Sequence, residues 1–207
     1  MFKANEKLLF IGDSITQDGR FDDEEGLGKG YVRLIHDFLE EHQTIEKPII
    51  VNKGISGNRV TDLEKRWEED VIREQPDWLS VSIGVNDVWR QLDSPDMVQV
   101  LPDHFAEVYR SLLQDVKEKT NAKLIIMEPT IIEEDVASKG NKMLHEYVEI
   151  THRLAQDFNG ILVPTHEAFL NHLKQPSAPA LTTDGVHMND QGRKLMTDTW
   201  LKAVGIR

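Results

Sequence analysis

The sequence predicts an α/β fold in which a parallel sheet is covered by helices on both faces. Three observations predict it. Five short apolar runs recur along the chain, longer stretches of helical period lie between them, and each run is followed by polar residues bearing glycine or proline, as expected of βα units. Lys7–Ile11 is the first strand, and Tyr31–Glu41 is a helix because Tyr31, Leu34, Ile35, Phe38 and Leu39 recur at three and four to form one apolar face. Pro48–Asn52 is the second strand, Arg59–Arg73 the next helix, Trp78–Ile83 the third strand and Met97–Lys119 the longest helix. Lys123–Met127 and Gly160–Pro164 complete the sheet on either side of a helix over Lys142–Phe158. A final helix over Asn189–Ala203 carries Leu195, Met196, Trp200 and Leu201 at helical spacing. With no internal repeat and no low-complexity linker, one domain over residues 1–207 is expected.

Composition removes several classes of function. The chain has 207 residues and no cysteine, so disulfides, a thiol nucleophile and cysteine-based zinc sites are excluded. Against 24 Lys and Arg stand 36 Asp and Glu, a net charge of −12. That excess repels phosphate backbones, and no nucleic-acid partner is expected. No apolar run approaches the roughly 18 residues of a membrane span. The apolar stretch Leu8–Gly12 is too short, and too closely flanked by acid, for a signal peptide. A cytoplasmic protein with no membrane partner is the expectation.

Parallel sheets present ligands at the carboxyl ends of their strands. Four polar, glycine-bearing segments converge there: Gly12-Asp13-Ser14-Ile15-Thr16, Asn52 to Asn58, Gly84-Val85-Asn86-Asp87 and Asp184-Gly185-Val186-His187. A serine hydroxyl needs a base to take its proton, and the base needs a third group to hold its tautomer. Asp184 and His187 are three residues apart, so one turn can set the carboxylate against one ring nitrogen and aim the other at Ser14. Backbone N–H groups at Ser14 and Gly54 and the Asn86 side-chain amide would supply an oxyanion hole. Each segment alone also reads as turn or capping chemistry. Their conjunction, in the order Ser, Gly, Asn, Asp-His at strand ends, is what points to catalysis. Of the eight histidines, the other seven, including His36, His42, His104 and His172, read as surface or packing residues.

These residues resemble the SGNH or GDSL esterases and acylhydrolases over nearly the whole chain. The resemblance implies a three-layer α/β/α sandwich, flavodoxin-like, with a five-stranded parallel sheet. It implies Ser14 as nucleophile and oxyanion donor, Gly54 and Asn86 as further oxyanion donors, and Asp184 and His187 as orienting acid and base. Lys7 to Thr16, Val51 to Asn58, Arg66 to Val71 and Ile83 to Gln91 are similar to the intracellular acetyl xylan esterases that deacetylate xylo-oligosaccharides. Met188 after the base departs from the proline or leucine common there.

The expected reaction is serine-dependent hydrolysis of short-chain esters, with a small ester or acetylated oligosaccharide as partner, a possible homo-oligomeric state, and no metal or cofactor. Alternatives are a thioesterase or lysophospholipase on the same site, or a non-catalytic flavodoxin-like binding module. Trp89 and Arg90 follow the asparagine and are candidates for substrate binding; the plain readings are that Trp89 packs beneath the loop and Arg90 pairs with surface acid. The loop Gln17 to Lys29, with Asp22-Asp23-Glu24-Glu25, reads as a wall overhanging the site, which would then disfavour polyanionic substrates, or by default as a solvated acid run. His145, Glu149 and His152 share one helix face and read as a solvated face rather than a metal site. Lys65 with Glu69 and Arg66 with Asp70 read as helix support.

Overall fold

The structure, a computed structural model, describes residues 2–42 and 46–207. Five strands, β1 (Lys7–Gly12), β2 (Ile49–Gly54), β3 (Trp78–Ser82), β4 (Lys123–Met127) and β5 (Ile161–Val163), form one sheet in the order β2-β1-β3-β4-β5. Every pairing is parallel. Leu8, Leu9, Phe10 and Ile11 of β1 are all fully buried, as a strand covered on both faces requires. The helices are α1 (Ser14–Gln17), α2 (Tyr31–Glu41), α3 (Val60–Trp67), α4 (Val85–Asp93), α5 (Pro102–Lys119), α6 (Lys139–Asp157), α7 (Thr165–Leu173) and α8 (Asp190–Ala203). Helices α2, α7 and α8 pack together on one side, and α3, α4, α5 and α6 on the other. The three-layer, flavodoxin-like arrangement is the one expected.

This strand order positions the site. The chain steps outward from β1 to β2 and then back to β3 on the other side of β1. Connections leave the sheet in opposite directions at that switch, which opens a crevice at the carboxyl ends of β1 and β3. Gly12, the last residue of β1, is in register with Gly54 of β2 and Ser82 of β3. A Cβ at Gly12 would lie 2.3 Å from the Ser82 carbonyl oxygen and 2.4 Å from Thr16 Oγ1, so only glycine lets the chain turn there into α1. Behind the crevice, Trp200 of α8 is fully buried against Phe2 and Phe10, and its indole N–H donates to Ser80 Oγ at 3.1 Å. A buried indole needs such a partner.

The elements differ from expectation at their edges. Helix α5 begins at Pro102, where a missing N–H costs nothing, so Met97–Leu101 is loop and Val98 is 86% exposed. The helix expected over Arg59–Arg73 passes from α3 into a wider turn at Glu68–Ile72, closed by Arg73 N–H on the Glu68 carbonyl. Lys65 pairs with Asp62 rather than Glu69, while Arg66 does pair with Asp70. Helices α1, α4 and α7 had no counterpart in the sequence reading, because the first is one turn long and the other two are nine residues each. Short helices held by tertiary packing leave a weak periodic signal.

Helix α8 reaches the site through Gly192, where a Cβ would lie 2.2 Å from the Leu181 carbonyl oxygen. Gly192→Ala should therefore lower stability by about 1–3 kcal/mol through overpacking. A reduced Tm in thermal unfolding checks this.

Candidate active site

Ser14 is the first residue of α1. Asp13 precedes it as the N-cap, its Oδ1 accepting the Ile15 N–H at 2.9 Å. The cap fixes the helix start, so the Ser14 hydroxyl projects at the mouth of the crevice while Asp13 is buried. Burial pushes the Asp13 carboxyl up to about 6.

His187 arrives from the far end of the chain on a tight loop. Thr183 N–H donates to the His187 carbonyl at 2.8 Å, Asn189 N–H donates to the Leu181 carbonyl at 2.9 Å, and Gly185 takes φ +91°. One carboxylate oxygen holds the loop's base: Glu134 Oε1 accepts from Leu181 N–H, Thr182 N–H and the Thr182 hydroxyl at 2.8, 2.6 and 2.5 Å. Within the loop, Asp184 Oδ1 accepts the backbone N–H groups of Val186 and His187, and Oδ2 meets His187 Nδ1 at 2.6 Å. The other ring nitrogen, Nε2, lies 3.0 Å from Ser14 Oγ. Partial burial pulls the Asp184 carboxyl upward, but the hydrogen bonds from His187 and Val186 outweigh it and hold the group below the ordinary carboxylate range. With Nδ1 fixed on an ionised carboxylate, Nε2 is the acceptor that can take the serine proton.

Asn86 sits on the first turn of α4, buried, behind Gly84 at φ +123°. Its Nδ2 donates to the Asn58 carbonyl at 3.1 Å, which leaves its second N–H without a partner among the described residues. Gly54 is placed otherwise than expected. Its N–H donates to Asn52 Oδ1 at 2.9 Å and is thereby engaged. Glycine is required there for a different reason: a Cβ would lie 2.3 Å from the Gln17 nitrogen, so β2 and α1 approach too closely for any side chain. Farther along the same segment, Asn58 N–H on the Ile55 carbonyl closes a turn with Gly57 at φ +79°, the type II geometry. The Gly57 N–H has no partner among the described residues and is exposed. Ser56 Oγ in that turn donates to Gln17 Oε1 of α1, so the turn spans from the helix bearing Ser14 to the one bearing Asn86.

Trp89 lies against His187, ring centroids 5.8 Å apart and nearly edge to face, and so borders the site. Arg90 stacks over Trp89 with its guanidinium carbon 4.8 Å from the ring centroid, and its Nη1 pairs with Asp93. The arginine thus pairs with acid, as a plain reading has it, while its Nη2 also donates to Asn86 Oδ1 at 3.4 Å, so it borders the site as well. A cavity of about 240 Å³ lies next to Ser14 and His187, walled by Ile15, Asp18, Lys29, Thr183, Met188 and Arg193. Two larger concavities, about 480 Å³ between α2 and α8 and about 660 Å³ between α7 and α8, touch neither Ser14 nor His187.

The loop from Gln17 to Lys29 meets the cavity only through its ends, Asp18 and Lys29, which the Lys29 N–H to Asp18 carbonyl bond draws together at 2.9 Å. Its acids face elsewhere: Asp23 caps the Leu27 and Gly28 N–H groups and pairs with Arg33, as does Glu25. The cavity wall carries Asp18, paired with Arg193, and Lys29, while the acid run itself does not line it. His145 and Glu149 are exposed, and His152 pairs with buried Glu128, which also caps α7 through the Glu167 N–H. Among the described residues no group of three or more acidic or histidine side chains is placed to hold a metal ion. No helix there is long and apolar enough to cross a membrane.

Several supporting residues escaped the sequence reading. Arg66, taken for helix support, donates to the carbonyls of Gly12 and Lys53, to Asn58 Oδ1 and to Asp70, and so ties the end of β1 to the turn facing it. Asn52 donates to the carbonyls of Thr16 and Leu27. Arg193 grips Asp18 with two nitrogens, at 2.7 and 3.0 Å, fastening α8 to the end of α1. Asn52 alone carried a readable sign, an amide at the end of an apolar run.

A sequence model of the GDSL-like Lipase/Acylhydrolase family matches residues 10–195. The chain belongs to that family, and is a carboxylic ester hydrolase. It is 40% identical to an acetylxylan esterase of Geobacillus stearothermophilus, over 98% of this chain and 95% of that one. The crystal structure of that esterase, Axe2, superposes with a TM-score of 0.91 at 38% identity, covering 99% of this chain and 96% of the other. Catalytic mutants of Axe2 replace a serine, an aspartate and a histidine. A more distant relative, 25% identical over 96% of this chain and 82% of its own length, is thioesterase 1/protease 1/lysophospholipase L1 of Escherichia coli.

Next to Asn86 lies Asp87, fully buried, its carboxyl pushed up to about 7 by burial and further raised by the charge of Asp13. The folded state keeps a proton that the unfolded chain releases near 3.8, so the stability this group contributes is present below 3.8 and is lost as pH rises through about 7. The Tm of the wild type should fall relative to that of Asp87→Asn as pH is raised across that window. A gap independent of pH would show that Asp87 does not titrate there.

Proposed function

We propose that this enzyme removes acetyl groups from acetylated xylo-oligosaccharides or closely related acetylated sugars, by way of an acyl-enzyme. The observation that carries the reading is the relay of Asp184 Oδ2, His187 Nδ1, His187 Nε2 and Ser14 Oγ, with links of 2.6 and 3.0 Å. Ser14 Oγ attacks the ester carbonyl carbon as its proton passes to His187 Nε2, and Asp184 stabilises the imidazolium. The resulting oxyanion accepts from the Ser14 N–H, the free N–H of Asn86 and the Gly57 N–H, which takes the place expected for Gly54. Collapse breaks the bond to the sugar oxygen, which takes the proton from His187. Water, deprotonated in turn by His187, then attacks the acetyl-serine, and acetate leaves as Ser14 recovers its proton.

Support for the acetyl specificity is the small cavity, about 240 Å³, beside Ser14, with the Trp89 indole against the base. Support for the sugar ester is the 40% identity to an acetylxylan esterase. The matching residue types of its catalytic mutants support the roles of Ser14, Asp184 and His187. A cytoplasmic place of action belongs to the same reading, as does self-association, which the exposed Met97, Val98 and Leu101 support.

Ser14→Ala should abolish release of p-nitrophenol from p-nitrophenyl acetate and of acetate from acetylated xylo-oligosaccharides; turnover near the wild-type rate in a clean preparation refutes the assignment. A series of acyl chain lengths should peak at acetate, whereas preference for eight or more carbons would favour a thioesterase or lysophospholipase. Asn86→Ala should lower kcat by about 10²–10³-fold, because an oxyanion donor acts mainly in the transition state. An unchanged kcat would make Asn86 structural.

A further inference from the structure

Asn86 and Asp87 are consecutive residues on the first turn of α4, and both reach the same short piece of chain. Asn86 Nδ2 donates to the Asn58 carbonyl at 3.1 Å, and Asp87 Oδ1 accepts the Val60 N–H at 3.0 Å. Asn58 closes the Ile55–Asn58 turn and Val60 opens α3, so the two side chains grip the turn's exit at adjacent points. Asp87 is 0% exposed, and its second oxygen, Oδ2, has no hydrogen-bond partner among the described residues. Neither Arg59 nor Arg90 is paired with it: Arg59 Nη1 donates to the Val98 carbonyl and its Nε lies 3.8 Å from Asp62, while Arg90 pairs with Asp93. An ionised carboxylate with one empty oxygen in a dry interior is costly. What the carboxyl retains, and an apolar side chain would lack, is the acceptor for Val60.

We propose that Asp87 is a positioning residue for ester hydrolysis: its Oδ1 holds the Val60 N–H and so, with Asn86, sets the place of the Ile55–Asn58 turn relative to Ser14. The inference rests on the reading above, in which that turn supplies an oxyanion donor. Asp87 touches neither substrate nor the reacting atoms. Its effect passes through the backbone of the turn, where a displacement of about 1 Å can cost on the order of 10²-fold in rate.

The other half of the hydrogen bond can be removed separately. Val60 is the first residue of α3, after Arg59 at φ −102° and ψ 174°. Proline is accepted at a first helical position after an extended residue; it removes the N–H and replaces the buried Val60 isopropyl group with its ring. The experiment is kcat and KM for p-nitrophenyl acetate, with the rate of Ser14 phosphonylation by an organophosphonate, for Asp87→Ala, Asp87→Asn, Val60→Pro and the double variant Asp87→Ala/Val60→Pro. Asp87→Ala and Val60→Pro should each lower kcat by about 10–100-fold with KM within about threefold, and slow phosphonylation in parallel. Asp87→Asn, which keeps the acceptor, should restore most of kcat. The double variant should be no worse than either single one, since both remove the same bond.

Three results would overturn the proposal: Asp87→Asn as slow as Asp87→Ala, single effects that multiply in the double variant, or both single variants at wild-type kcat. Should Asp87→Ala fail to fold, Val60→Pro at wild-type kcat, or Asp87→Asn as slow as Val60→Pro, would overturn the proposal. Activity surviving Ser14→Ala would instead remove the reading of the site itself; a silent Asp87 in an enzyme that needs Ser14 removes only this inference.

Discussion

One contact organises the molecule: the 3.0 Å approach of Ser14 Oγ to His187 Nε2, between residues 173 positions apart. Neither side can be set by local sequence. The hydroxyl is delivered by β1, an interior strand buried on both faces, and by the Asp13 cap that starts α1 at the strand's end. The ring is delivered by a loop standing at the head of α8, whose Trp200 is locked against Phe10 of the same strand. The two-pronged Arg193–Asp18 pair then joins α8 directly to the end of α1. Both side chains of that pair are mostly buried, which spares it much of the screening that makes surface ion pairs weak. Core packing and one partly buried ion pair thus share the task of keeping hydroxyl and imidazole within reach.

A sheet edge that serves as an active site has a second problem. Strand ends leave carbonyl oxygens that no following strand can satisfy, and burying them unpaired is costly. Polar side chains meet that need here and fix the loops in doing so. Arg66 takes the carbonyls of Gly12 and Lys53 and Arg20 takes that of Gly54, while Asn52, itself in β2, takes those of Thr16 in α1 and Leu27 in the loop beyond. The same bonds that satisfy the rim hold the proposed oxyanion donors still, so that little reorganisation is needed as charge develops.

The sheet, its parallel character and the two ends of the catalytic relay were legible because each leaves a local mark: a fully apolar run for a strand buried on both faces, and a carboxylate three residues before an imidazole. Arg66 was legible only as a partner for Asp70, since its other acceptors are backbone carbonyls that carry no residue identity. Gly54 and Gly57 show the limit most clearly. Both are glycines in one loop, yet the first is needed for a backbone approach and the second for a positive φ, and which of them has a free N–H depends on where the Asn52 side chain turns. The acid run of the Gln17–Lys29 loop left two readings open for a related reason, because Arg33, its counterion, lies on the next helix.

The order in which the relay's parts occur along the chain has a consequence for biosynthesis. A ribosome making this protein adds Ser14 173 residues before His187, with α8 after it. A nascent polypeptide, or one truncated before that helix, carries the attacking group without its proton acceptor or the clasp through Arg193. The proposed relay therefore assembles only once α8 has been made.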